Sequence, residues 1–295
     1  MNPSPSDLRA GMLALYASIV LLATNGLFSK LIPLDPTTIT QIRSVIASVV
    51  LITLLVLQGS SFRLVSRREF FGVYGLGVLL CLHWITYFHA MQVSTVAIGM
   101  LALFSYPVMT VILEPLLQGR LPKWVDLFAA VAVVFGVFLM VSDEILKGQL
   151  DSGSFLGAFW GVISALLFSL RNTLQRHYFS RVNSISLMGH QTLGVAVMLL
   201  AFVDWSALGS LGTSGWALVV ALGCFSTAGA HTLLSMSLKR LSAKTVGLIS
   251  CNTPIFGVLF AWLVLGEVPS LMVYVGGAVI LLVASWETLK GGKNA

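Results

Sequence analysis

Two stretches of the chain follow one pattern, STVAIGMLALFSYPVMTVILEPLLQGRLP at residues 94–122 and SAKTVGLISCNTPIFGVLFAWLVLGEVP at residues 242–269. Each is a predominantly apolar run of more than about 20 residues, the length that an α-helix needs to cross a bilayer. Each holds a proline near its middle and ends on glycine, a charged residue, an apolar residue and proline. The pattern predicts a membrane-spanning segment that occurs twice in the chain.

The composition of the whole chain supports this prediction. Of its 295 residues, 57% are hydrophobic and 9% are charged, whereas a soluble domain has about 45–50% apolar and about 25% charged residues. So few polar side chains cannot cover the surface of a soluble domain. We therefore expect an all-α, polytopic membrane protein without a soluble catalytic domain.

Apolar runs bounded by charges, glycine and proline divide the chain into ten expected spans. They lie at residues 10–32, 36–57, 69–90, 93–117, 122–142, 154–176, 184–203, 214–238, 241–264 and 269–288. The first run is too long for the core of a signal peptide, so it is expected to remain as span one. The weakest boundary is the one between spans three and four, where only residues 90–92 intervene.

Basic residues fix the expected orientation of these spans. With the N-terminus placed inside, 13 of the 17 Lys and Arg residues fall at the inner ends, and Lys147 falls in an outer loop. Short loops rich in Lys and Arg stay on the cytoplasmic side, so both termini are expected in the cytoplasm. The net charge of +6 then reflects topology and does not indicate a nucleic-acid partner.

The two halves of the chain resemble each other at a shift of 147 or 148 residues. The matched positions include asparagine, histidine, proline and glycine residues in the same order: Asn25 with Asn172, His83 with His231, Ser94 with Ser242, Gly99 with Gly247, Pro107 with Pro254, and Gly119 with Gly266. Each half holds five spans, an odd number, so equivalent spans cross in opposite directions. We expect two inverted repeats, residues 1–147 and 148–295, together forming one transport domain.

This motif set resembles the EamA-type families of the drug/metabolite transporter superfamily. The second half carries it as Ser242, Gly247, Pro254 and the turn 266–269, and the first half departs from it at Arg120, where the family often has glutamate. The resemblance implies ten helices in two inverted repeats and a small-metabolite carrier, commonly an exporter of amino acids. It also implies the inner membrane of a bacterium, and it leaves the substrate and the oligomeric state, monomer or homodimer, open.

Polar side chains within spans are the candidate substrate-binding residues, because they are costly in a membrane. By depth, Asn25, Arg43 and His83 are expected in the outer half. The repeat then places Asn172, His190 and His231 in a mirror layer in the inner half, with His190 as the repeat mate of Arg43. The full set of candidates is Asn25, Arg43, His83, Trp84, Tyr87, Tyr106, Arg171, Asn172, His231 and Asn252. Hydrogen bonding between helices, or a charged end that reaches the membrane surface, remains an alternative reading for several of them.

The charges suggest a ligand class. Cations lie deep in spans, whereas Glu114 is expected to be the one acid within a span, so the sequence favours an anionic or zwitterionic substrate. A proton is a candidate coupling ion, carried by His83 or His231. A central proline in each of spans four and nine removes a backbone donor and frees a carbonyl, so these spans are expected to move or to line the cavity.

Two other function classes fit the sequence less well. An intramembrane enzyme acting on lipid is disfavoured because the chain has neither an H-E-x-x-H nor a G-x-S-x-G motif. A channel-like facilitator is disfavoured because no filter motif is visible and inverted repeats are typical of carriers. We expect no catalytic residue, no metal site and no cofactor.

Overall fold

A computed structural model describes residues 5–64, 66–149, 152–179, 181–238, 240–241 and 243–291. Ser242 of the repeated motif lies outside these residues. Every regular element in the described part of the chain is helical, which confirms the all-α prediction.

The helices follow one another with short connections. In the first half they are α1 (Pro5–Ala23), α2 (Asn25–Leu31), α3 (Pro36–Leu57), α4 (Arg67–Val93), α5 (Val96–Leu103), α6 (Tyr106–Leu117), α7 (Trp124–Met140) and α8 (Ser142–Leu146). In the second half they are α9 (Gly153–Phe179), α10 (Ser184–Met198), α11 (Trp205–Gly209), α12 (Thr213–Ala221), α13 (Ala230–Leu238), α14 (Ala243–Ser250), α15 (Thr253–Leu265) and α16 (Leu271–Gly291). A 3₁₀ turn follows α10, and a π-helical segment, Leu222–Gly229, joins α12 to α13.

These helices occupy the ten expected spans, and the chain is a multi-pass membrane protein. Within the described residues, six helical segments are long and apolar enough to cross a membrane, and three shorter apolar helices lie at further expected spans. Helix α10 with its 3₁₀ turn covers the seventh expected span. The boundary between spans three and four lies later than expected, because α4 continues through Ala90, Met91 and Gln92 to Val93.

Local sequence explains where α3 begins. The Asp35 carboxylate accepts hydrogen bonds from the backbone N–H groups of Thr37, at 2.8 Å, and Thr38, at 3.0 Å. Pro36 occupies the first turn, where a missing N–H costs nothing. This cap fixes the register of α3 and therefore the depth of the polar side chains along it.

Spans four and nine, which each hold a central proline, are both broken near their middle. Span four consists of α5 and α6, and span nine consists of α14 and α15. In both, the second segment begins one residue before the proline, at Tyr106 and at Thr253. Proline is compatible with the first turn of a helix and not with its interior, so each proline ends one segment and begins the next.

The chain forms two compact units, and each takes helices from both halves of the sequence. The first unit comprises Met1–Ile85 and Leu174–Leu241, and the second comprises Thr86–Thr173 and Ser242–Ala295. The first unit has a buried apolar cluster of Ala47, Leu51, Leu80, Trp84, Met188 and Ala228. The second unit has its own cluster of Ala97, Ile98, Leu101, Phe104, Met140, Val141, Ala158, Val273 and Ile280.

Candidate functional site

In the first unit, α3 presents a buried polar face. Arg43 is only 2% exposed, and Thr40, Ser44 and Ser48 are buried with it. The two serine hydroxyls donate to backbone carbonyls of their own helix, those of Thr40 and Val45. The serines are therefore satisfied within α3, whereas the long side chain of Arg43 extends to other helices.

The contacts of the Arg43 guanidinium include a hydrogen bond and an aromatic ring. Its Nε donates to the hydroxyl of Thr227 at 3.1 Å, and its Cζ lies 4.2 Å from the centroid of the Trp84 ring. A guanidinium over an indole face gains a cation–π interaction, which is stronger where water is excluded. The His231 ring lies 6.4 Å from the ring of Trp84, centroid to centroid. We call Arg43, Trp84, Thr227 and His231 the Arg43 cluster.

The π-helical segment positions the hydroxyl that Arg43 uses. The Thr227 hydroxyl donates to the Leu222 carbonyl at 2.8 Å, so its oxygen is oriented to accept from Arg43. Gly223 lets this segment approach α3, because a Cβ there would lie 2.6 Å from Ile46. π-helical turns occur frequently at functional sites, and here the turn brings a hydroxyl to a buried cation.

A pair of hydroxyls ties Thr24, which lies between α1 and α2, to the same π-helical segment. The Thr24 hydroxyl donates to the Leu21 carbonyl at 2.6 Å, so Ser226 donates to Thr24 across 2.7 Å. The next residue, Asn25, is buried; its amide nitrogen donates to the Leu22 carbonyl, and its Oδ1 has no hydrogen-bond partner in the structure. The structure thus places a buried, unsatisfied acceptor one residue from a contact to the segment that holds Arg43.

Five of the predicted site residues belong to the first unit. Arg43, Trp84 and His231 lie in the Arg43 cluster, and Asn25 is linked to the π-helical segment through Thr24. His83 is buried one position before Trp84. Trp84 also belongs to the apolar core of this unit, so its ring has a packing role as well as its contact with Arg43.

The other five, Tyr87, Tyr106, Arg171, Asn172 and Asn252, belong to the second unit. Tyr106 packs edge-on against Phe168, with centroids 5.0 Å apart. Arg171 is buried and donates to the side chain of its neighbour Asn172 at 2.9 Å. Asn252 donates to the Ile249 carbonyl within its own span, and buried Tyr87 contacts Phe88.

One sequence expectation about charge is wrong. Glu114 was expected to be the one acid within a span, but Asp126 and Glu287, which also lie in spans, are buried, at 3% and 2% exposure. Asp126 is explained locally, since its carboxylate accepts from the backbone N–H of Lys123 and caps α7. Both acids belong to the second unit. Among the described residues of the first unit, the buried charged side chain is Arg43, and no Asp or Glu is buried.

Sequence reasoning also missed residues that the structure makes important. Thr227, Ser226 and Thr24 are ordinary span hydroxyls in the sequence, and their only signal was the small polar character of Ser226-Thr227 inside an apolar run. In the second unit, the Glu267 carboxylate accepts from the Val96 backbone N–H at 2.9 Å and so caps the start of α5. Within the described residues, no group of three His, Cys, Asp or Glu side chains could hold a metal ion.

Comparisons with known proteins agree with this architecture. The model of the EamA-like transporter family matches the chain twice, at residues 9–142 and 155–286. An uncharacterized transporter of Archaeoglobus fulgidus is 26% identical over 275 residues, and the match covers 93% of this chain and 94% of the length of that transporter. The uncharacterized transporter YcbK of Bacillus subtilis is 26% identical over 202 residues, 65% of this chain and 64% of its own length.

A solved crystal structure supports the fold. It superposes with a TM-score of 0.64 at 20% sequence identity and covers 96% of this chain and 98% of that chain. At this identity the likeness concerns the fold alone. The two matches to the family model show the family: the chain is a transporter that belongs to the EamA-like transporter family.

Proposed function

We propose that this transporter carries small solutes that bear a carboxylate, amino acids or related zwitterions, and that Arg43 binds the carboxylate. The observation that supports this most strongly is the buried Arg43 guanidinium, oriented by Thr227 and Trp84. The planar fork of a guanidinium matches the two oxygens of a carboxylate. A hydrogen bond to the charged group contributes about 1.5–3 kcal/mol, enough to select a carboxylate over a neutral analogue.

The charge and hydrogen-bonding pattern around Arg43 support a zwitterion. The buried ionisable groups described in the first unit include Arg43 and histidines and no carboxylate, which favours an anionic group on the ligand. The Asn25 Oδ1 is a buried acceptor without a donor. The ammonium group of an amino acid is a donor of the required kind, and Thr24 and Ser226 connect Asn25 to the segment that contacts Arg43.

Topology and direction complete the proposal. The basic residues at the inner ends favour cytoplasmic termini in a bacterial inner membrane, with residues 1–147 and 148–295 as inverted repeats that open the site alternately to each side. Outward transport follows from the family's common use as exporters. His83 and His231 are the candidate carriers of a coupled proton. Tyr87, Tyr106, Arg171, Asn172 and Asn252 are proposed to contact the solute in the second unit.

Counterflow in proteoliposomes tests this function. Purified protein is loaded with one unlabelled amino acid at a time, and uptake of its labelled form is followed with and without a pH gradient. We expect exchange of at least one amino acid and its loss in Arg43→Gln, because glutamine keeps a donor and loses the charge and the fork. Lys30→Gln, which removes a cation at the end of α2, is the matched control and should keep exchange.

Two outcomes would overturn the proposal. Exchange that continues unchanged in Arg43→Gln would remove Arg43 from the substrate site. Exchange of organic cations, with none of amino acids, would contradict the inferred ligand class.

A further inference from the structure

His190 occupies the position in the second repeat that Arg43 occupies in the first. It lies 147 residues after Arg43, in α10, which packs against α3 in the first unit. Arg43 in span two donates a hydrogen bond to Thr227 in span eight. His190 in span seven lies 3.3 Å from the hydroxyl of Tyr74 in span three. Spans two and seven are repeat mates, and so are three and eight, so the two settings correspond to each other.

The contacts of His190 involve a loop residue, Phe62. The imidazole Nε2 lies 2.6 Å from the Phe62 carbonyl oxygen and donates to it. The Nδ1 atom then accepts from the Tyr74 hydroxyl. The Phe62 ring stacks on the imidazole with centroids 3.8 Å apart and planes 11° apart. His190 is only 7% exposed as a result.

Glycines on α10 provide the space for both rings. A Cβ on Gly189 would lie 3.1 Å from the Phe62 ring, and a Cβ on Gly194 would lie 2.8 Å from the Tyr74 ring. A larger residue at either position would push these rings away from His190. The sequence of α10 is therefore suited to a covered imidazole as well as to helix packing.

The side chains that cover Arg43 and His190 belong to different kinds of segment. Trp84, which covers Arg43, lies inside helix α4 and in the apolar core. Phe62, which covers His190, lies in the non-helical residues 58–64 that follow α3, and it is half-buried. A loop separates from a helix at much lower cost than a helical residue leaves a core, so the cover of His190 is the removable one.

We propose that Phe62 is a removable cover over a second anion-recognition residue, His190. When the connection between α3 and α4 lifts, the Nε2–H of His190 loses the Phe62 carbonyl and becomes free to donate to a carboxylate on the inner side. His190 then performs in one half of the transport cycle what Arg43 performs in the other. This recognition role rests on the proposed transport of carboxylates, whereas the cover itself does not.

The cover is tested without any transport. His190→Cys is introduced after Cys81, Cys224 and Cys251 are replaced by alanine, and labelling of the new thiol by a maleimide is timed in the detergent-solubilised protein. We expect labelling to be slow with Phe62 present and about tenfold faster or more with Phe62→Ala, since one stacked aromatic cover is removed. Phe71→Ala, which deletes an exposed phenylalanine of α4, should leave the slow rate unchanged.

Equal labelling rates in the Phe62→Ala and Phe62-containing proteins would show that Phe62 covers nothing. Phe62→Leu serves as a second variant in case the alanine protein does not fold, and it is expected to label at an intermediate rate. Because this result does not depend on any substrate, it stands or fails separately from the proposed function.

Recognition by His190 is tested on the amino acid that shows Arg43-dependent exchange. His190→Gln places an amide donor near the position of Nε2, and His190→Phe removes the donor. We expect His190→Phe to raise the KM for solute added at the inner face by about tenfold or more, as when a hydrogen bond to a charged group is lost. His190→Gln is expected to raise this KM less, because its amide can still donate. An unchanged inner KM in His190→Phe, with exchange still dependent on Arg43, would contradict the recognition role.

Discussion

The turns that follow spans four and nine have one backbone conformation and two different tertiary roles. Gly119 and Gly266 end their helices with φ values of +69° and +68°. In the second turn, the next residue, Glu267, reaches the N-terminus of α5 and accepts from Val96. In the first turn, the next residue, Arg120, is exposed and bonds the neighbouring Gln118 side chain.

The difference separates what the repeated motif does locally from what one copy adds. The glycine and the proline shape a helix end in both repeats, since a left-handed residue satisfies the last carbonyls of a helix. The charged position is free to differ, and its sign follows the expected side of the membrane. Glu267 caps a half-helix with its charge and hydrogen bond, whereas Arg120 is expected to contribute only to membrane orientation.

The largest expected effect is at the two glycines, and it should be the same at both. Gly119→Ala and Gly266→Ala are each expected to lower the free energy of unfolding by about 1–2 kcal/mol, the cost of a left-handed conformation for an L-residue. A Cβ meets no atom within 4 Å at either position, so the cost comes from the backbone alone. The measurement is the thermal unfolding midpoint of the purified protein.

Gly75→Ala is the matched control for the glycine pair. It lies inside α4 in open space and is not among the glycines with positive φ, so alanine there should be neutral or slightly stabilising. If Gly266→Ala lowered the free energy of unfolding and Gly119→Ala did not, the two turns would not be equivalent even in their backbone conformation.

The next effect separates the turns. Glu267→Ala should lower the free energy of unfolding by about 1 kcal/mol, because α5 loses both a cap and a negative charge at its N-terminus. Glu267→Gln keeps an acceptor and should lose less. Hydrogen exchange at the first turn of α5 reports the local opening directly. Unchanged protection of this turn in Glu267→Ala would mean that the carboxylate does not stabilise the half-helix.

The smallest effect is expected at Arg120. Arg120→Ala should change the free energy of unfolding by less than about 0.5 kcal/mol, as is usual for an exposed charged side chain. The same unfolding measurement applies. If Arg120→Ala lowered the free energy of unfolding as much as Glu267→Ala does, the two turns would not differ in tertiary role.

Much of the fold could be predicted from the sequence, because span boundaries depend on local signals. Asp35 and Pro36 specify the start of α3, and its observed range Pro36–Leu57 equals the expected one. The central prolines singled out spans four and nine, and the structure places each proline in the first turn of a new helical segment. Where local signals were weak, at residues 90–92, good helix formers extended α4 beyond its expected end.

The candidate site could be predicted only in part. Arg43 could be predicted as a site residue because a charge so deep in a span is costly. Its partner Thr227 could not, because it lies 184 residues away and is brought close by a π-helical turn. No periodicity in the sequence indicates that turn. Phe62 was missed because it lies in a connection, and its contact with His190 depends on how the connection folds back. Depth can be estimated along one helix, whereas contacts between helices require the tertiary structure.

The binding of a carboxylate by Arg43 is tested most directly by comparing an amino acid with its carboxamide. The two molecules differ in charge at the one group that Arg43 is proposed to bind. Counterflow of both is measured in the parent protein and in Arg43→Gln. We predict that the parent prefers the acid by about tenfold or more, in keeping with a hydrogen bond to a charged group, and that Arg43→Gln removes this preference. An equal preference for the acid in both proteins would contradict the proposed role of Arg43.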